Sequence, residues 1–234
     1  MIRDHLLRLS ILTFALLLVG CGFNPTFEKA QAKKAYDAGD YADAAERYNA
    51  VAEYALYDWE ARYYLGLCYL ELGEPIKAQG QLEQALAVKD DSRTWTPRIL
   101  DALAEAYFQQ ERYDAMYAFL REAIDQRGTW KDFARQARYL AKAGDNDGAA
   151  SAYYKACFFS GNNDAEIYVE SADFFESIGD FKTAVQYLKW AVYIENDYPG
   201  IDDKFERLGV VPGPTLRVQP PEPIDPGDSR IPAL

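Results

Sequence analysis

The sequence predicts an all-α chain of about five stacked helical hairpins closed by a C-terminal capping helix. Three observations predict it. Helix-breaking positions recur at Gly39, Gly73, Glu111, Gly144 and Gly179, spaced 34, 38, 33 and 35 residues apart. Small residues recur in register with them: Ala32, Gly66, Ala104, Ala137 and Ala172 stand seven before, and Ala44, Ala78, Met116, Ala149 and Ala184 five after. Large residues stand nine after (Tyr48, Leu82, Leu120, Tyr153, Leu188), with Val51, Ala85, Ala123, Ala156 and Ala191 at twelve after. Antiparallel helices cross closely only where small side chains meet, and bulky ones a turn away fill the wedges between hairpins.

In chain order, residues 1–20 read as a signal peptide. A charged start to Arg8 precedes the apolar run Leu9 to Val19, whose eleven residues are too few to span a bilayer of about 30 Å. Leu18-Val19-Gly20-Cys21 resembles the lipobox of bacterial lipoproteins. That resemblance implies a mature chain starting at Cys21 with acyl chains on its thiol and amino group, held at a membrane. Gly22 follows where lipoproteins retained in the inner membrane carry Asp, so the analogy favours the outer membrane, facing the periplasm. Residues 21–26 are then a lipid-anchored linker.

Residues 27–197 carry the repeat. Their pattern of small and large positions resembles the tetratricopeptide repeat family, which implies a right-handed α-solenoid whose first helices line a concave groove. Each glycine ends a first helix in the left-handed conformation, and Pro75 and Pro97 fall where helices begin. Departures from the pattern are Glu111 at a glycine position, Met116 at a small one, Ala35 where an aromatic is usual, and extra loop residues within Val88 to Thr96. Residues 198–209, with Ile201, Phe205 and Leu208 at helical spacing, fit the cap that a terminal repeat needs. Residues 210–234 hold seven prolines and read as an extended or disordered tail.

Composition narrows the chemistry. The formal charge is −12, and removing residues 1–20 takes away a net +1 and leaves −13, which disfavours nucleic acid as a partner. His5 is the only histidine and lies in the signal, so imidazole chemistry is lost with it. No phosphate loop, Gly-x-Ser-x-Gly elbow, His-Glu-x-x-His or Cys-x-x-Cys is present, so no cofactor, metal or catalytic residue is assigned. Cys68 and Cys157 read as core thiols two repeats apart, and Asp145 to Gly148 as a turn rather than a calcium loop.

The groove register gives the candidate site. Tyr63, Tyr64, Leu67 and Leu70 make an aromatic and apolar patch, and Arg98, Asp101, Glu105 and Phe108 a mixed one. Lys131, Arg135, Arg138 and Lys142 recur at intervals of 4, 3 and 4, placing four cations on one helical face. Glu166, Glu170, Asp173 and Glu176 make an anionic face on the next inner helix. Two readings stay open: the cations hold carboxylates of a peptide whose apolar side chains meet Tyr63, Tyr64 and Phe108, or the two charged faces neutralise one another. The first makes the protein a membrane-anchored interaction scaffold of the cell envelope, with an assembly or secretion accessory role. The alternatives are an envelope enzyme or regulator acting on cell-wall polymer through carboxylates, and a self-associating structural lipoprotein.

Overall fold

The hairpin turns share one chemistry. In a computed structural model that describes residues 23–88, 95–161 and 163–221, all five breaking positions adopt positive φ: Gly39 78°, Gly73 70°, Glu111 56°, Gly144 86° and Gly179 83°. At each, the breaker's N–H bonds the carbonyl three residues back, and the following N–H bonds the carbonyl five back, as in Asp40 N to Ala35 O (2.9 Å) and Asp180 N to Phe175 O (2.9 Å). A Cβ at Gly39 would meet nothing within 4 Å, so the constraint there is backbone φ, not space. Glu111 keeps the same closure, with Arg112 N 3.1 Å from Tyr107 O, and carries the strain of a side chain in the left-handed region. Asp40, Asp145 and Asp180 then cap the next helix by accepting from the N–H three residues on.

The chain divides into two units, residues 1–90 and 91–234. The described part of the first contains α1 (Pro25–Asp37), α2 (Tyr41–Tyr54), α3 (Trp59–Glu71) and α4 (Pro75–Val88), which pack as consecutive antiparallel pairs. Its core joins Ala32, Ala44, Tyr48, Val51, Leu65 and Cys68, so Cys68 is a core thiol as expected. The crossing of α3 and α4 is as close as the alternation of small and large residues implies: a Cβ at Gly66 would lie 2.6 Å from Leu82 Cγ.

The described part of the second unit contains α5 (Trp95–Gln109), α6 (Tyr113–Arg127), α7 (Trp130–Lys142), α8 (Asn146–Ser160), α9 (Ala165–Ser177), α10 (Phe181–Ile194) and the short α11 (Ile201–Arg207). The α7–α8 and α9–α10 pairs pack closely, whereas α5 and α6 approach less, with the oversized Met116 fully buried between them. The terminal helix lays Ile201 and Phe205 into the core, and Cys157 is buried there too. All the residues placed at the four repeating small and large positions around the breakers are buried.

One expectation is corrected. The proline-rich segment does not leave the body at 210, because Pro214–Leu216 forms a 3-10 turn and Leu216 is buried against the core of the last helices. Cys21, the signal, residues 89–94 of the Val88 to Thr96 segment expected to hold the extra loop residues, and residues 222–234 of the proline-rich tail lie outside the described residues. Among the described residues no helix is long and apolar enough to cross a membrane.

Candidate partner-binding cleft

The second unit's inner face is organised by the start of α7. Thr129 and Asp132 form a capping box: Asp132 Oδ2 accepts from Thr129 N (3.1 Å) and Oγ1 (2.6 Å). This fixes the Asp132 carboxylate in a fully buried position, where Oδ1 accepts from Arg127 (2.8 Å) and Arg135 (2.8 Å). Burial pushes this carboxyl up, but the hydrogen bonds from Thr129 and Arg135 and the Arg127 charge outweigh it and hold the group below the usual carboxylate range.

Arg135 is the second correction. Expected on the groove surface, it is 1% exposed and spends its donors within the chain: Nε to Asp101 (2.6 Å), Nη1 to Asp132 (2.8 Å) and Nη2 to the carbonyl of Pro97 (3.0 Å). It ties α7 to α5 and forms a floor. Arg138, one turn on, bridges Asp101 of α5 (3.0 Å) and Glu170 of α9 (3.0 Å). Lys142 pairs with Glu105 (2.6 Å) and lies over the rings of Phe108 (5.4 Å) and Tyr139 (4.9 Å). Burial raises the Tyr139 hydroxyl, which lies 3.1 Å from both Asp101 O and Glu105 Oε2. For Glu105, burial opposes ionisation but the bonds from Lys142, Gln109 and Tyr139 prevail, and its carboxyl is lowered.

The anionic face of α9 is divided. Asp173 and Glu176 turn to the capping helix, pairing with Lys204 and with Arg207 (2.6 Å), while Glu166 and Glu170 face the cleft. That cleft, of about 340 Å³, is lined by Arg98 and Asp101 of α5, Trp130, Lys131 and Arg138 of α7, and Glu166 and Glu170 of α9, among others. Arg138 to Glu170 is thus the neutralisation that opposite charges on adjacent inner helices allow. Lys131 and Glu166 differ from it. Both are exposed, neither makes an ion pair among the described residues, and Lys131 lies 5.1 Å from the Trp130 ring centroid.

Of the residues assigned from sequence, Lys131, Arg135 and Arg138 come together in this cleft, and Lys142 and Phe108 meet farther along the same helices. Tyr63, Tyr64 and Leu67 belong to the first unit, where Tyr63 is buried at 8% exposure rather than open, and Leu67 is half-buried. Tyr64 stacks on Tyr48 (5.4 Å) and meets Tyr36 edge-on (5.5 Å), which makes it a packing residue. Sequence reasoning missed Trp130 and the role of Asp132. The spacing of Thr129 and Asp132 before an apolar run is a capping signal that could have found the latter. Among the described residues no group of three or more His, Cys, Asp or Glu could hold a metal ion.

Residues 29–93 match the family model of the tetratricopeptide repeat. Among solved structures the chain is similar to a tetratricopeptide repeat protein from Parabacteroides merdae (TM-score 0.58, 20% identity, covering 88% of this chain and 79% of that one). It is also similar to a thermophilic tetratricopeptide repeat protein from Thermus thermophilus (0.55, 18%, 79% and 98%) and to the MamA protein (0.51, 20%, 81% and 98%). At these identities the likeness is one of fold. No curated protein matches the sequence.

Proposed function

We propose that this tetratricopeptide-like chain is a protein-interaction scaffold of the cell envelope. In this reading it is tied to a membrane through lipid on Cys21 and takes an extended peptide segment of an envelope protein into the cleft on α5, α7 and α9. One observation carries the peptide site: Lys131 of α7 and Glu166 of α9 both stand exposed at a cleft whose deeper charges are already paired. A neutralised floor with the exposed cations Lys131 and Arg98 and the carboxylate of Glu166 around it suits a segment with a carboxylate facing Lys131 and a cation facing Glu166. The half-buried Trp130 supplies apolar surface beside it. Arg135 is the floor, not a donor to the partner.

The anchor rests on Leu18 to Cys21 and on the apolar run before it, and the outer membrane facing the periplasm is the proposed location. Rim ion pairs contribute about 0 to 1 kcal/mol each, so affinity comes from the segment's whole length and reversing one charge weakens binding about three- to tenfold.

A photo-crosslinking amino acid at position 131 or 166 of the full chain, expressed in cells, should trap one discrete envelope protein. Reversing the other charge (Glu166→Lys or Lys131→Glu) should reduce that adduct. Adducts no different from those formed at Lys77, in the other unit, would contradict the cleft. Palmitate incorporation lost in Cys21→Ser tests the anchor separately.

A further inference from the structure

The first unit carries an apolar cluster that the partner site does not use. Phe23 precedes α1 and packs its ring 5.1 Å from Tyr54 in the last turn of α2. Phe27 in the first turn of α1, and Leu56 and Tyr57 in the α2–α3 turn, are exposed beside them, Tyr57 at 82%. All lie at the same end of the first hairpin, because α1 and α2 run antiparallel and Lys29 of α1 pairs with Asp58 (2.9 Å) and Glu60 (2.7 Å) at the start of α3. Five large apolar or aromatic side chains turned outward at one end exceed the scattered exposure normal for a surface.

We infer that this end of the hairpin seats in the interfacial layer of a lipid bilayer, with Phe27, Leu56 and Tyr57 entering the headgroup and acyl boundary. The inference rests on the reading of Cys21 as the lipidated residue. Phe23 is two residues beyond Cys21, so the ring that packs on Tyr54 is no more than about 7 Å of chain from the anchored position. Phenylalanine, leucine and tyrosine are the side chains that settle at that boundary. The nearby acids are largely neutralised: Lys29 holds Asp58 and Glu60, and Arg47 holds Glu28 (2.9 Å). Glu53, in the last turn of α2, is exposed and, among the described residues, accepts only from Asn49 (2.7 Å). The contact is therefore apolar in kind, with no basic cluster to draw it to anionic lipid.

The test uses the full chain reconstituted into vesicles of phosphatidylethanolamine and phosphatidylglycerol doped with brominated phosphatidylcholine. An environment-sensitive fluorescent amino acid replaces either Tyr57 or Ile76. Ile76 is similarly exposed (75%) but follows the far end of α3, roughly 20 Å along that helix. Brominated lipid should quench the probe at 57 about threefold more than at 76, and Phe27→Asp with Leu56→Asp should bring 57 down to the level of 76. Equal quenching at both sites, or a probe at 57 shielded from water yet insensitive to bromine because protein covers it, overturns the inference. The mass of the amino-terminal peptide reports separately on Cys21. A modified Cys21 with equal quenching overturns the lipid contact and keeps the anchor, whereas an unmodified Cys21 with quenching at 57 does the reverse.

Discussion

In residues 23–88 the inner helix α3 joins α1 and α2 mainly through rings, with Lys29–Glu60 as an ion pair to α1, whereas in residues 95–221 the inner helix α7 joins α5 and α9 through a charge network beside the ring contacts of Phe133 with Phe159 and of Tyr139 with Phe108. Tyr64 of α3 lies against Tyr36 and Tyr48, while Arg135 and Arg138 of α7 reach Asp101 on α5 and Glu170 on α9. The two solutions respond differently to change. A ring pair adds about 0.5 to 1.5 kcal/mol and tolerates pH and salt. A buried charge network is severe when broken, because removing one member strands another.

That contrast is broken most sharply at Asp132. Asp132→Ala removes one half of the α7 capping box and leaves buried Arg135 with one carboxylate instead of two, and should destabilise the second unit by about 3 to 5 kcal/mol, read by urea denaturation followed by circular dichroism. Gly66→Ala tests the first unit by shape alone: the added methyl meets Leu82 and should cost about 1 to 3 kcal/mol in the same assay. Glu111→Gly should stabilise by about 1 kcal/mol, since it relieves a left-handed residue without removing a packed side chain.

Acid should produce the smallest effect per group. Glu105 and Asp132 have folded-state carboxyls below their ordinary values, so they stabilise the fold above those values and the contribution is lost as pH falls through the lowered ones. Both lie in the second unit. The stability of that unit should therefore decline below about pH 4, and a decline on raising the pH from 4 to 7 would contradict the assignment.

The packing positions were legible because hairpin crossing admits few side chains: Gly66 against Leu82, and the buried Ala44, Ala149 and Ala184, follow from register alone. The turns were legible too, Glu111 included. Periodicity was less able to sort a charged face into floor and rim. Lys131 and Arg135 differ by about 40° around the helix, enough to turn one to solvent and the other beneath α5. Tyr63 and Tyr64 are consecutive, about 100° apart, and could not share one outward face. The division of the α9 carboxylates depended on where α11 docks, and spacing within α9 holds no record of that. Leu216 was obscured because its prolines read as extended chain while one leucine among them is enough to hold the segment down.

In the function proposed above, a peptide is held between Lys131 and Glu166. The most direct measurement is charge exchange with the crosslinked partner segment. Lys131→Glu should weaken capture about three- to tenfold, and reversing the partner carboxylate mapped to it should restore capture. Capture that is unchanged by Lys131→Glu, or weakened but not restored by the partner reversal, would contradict the claim.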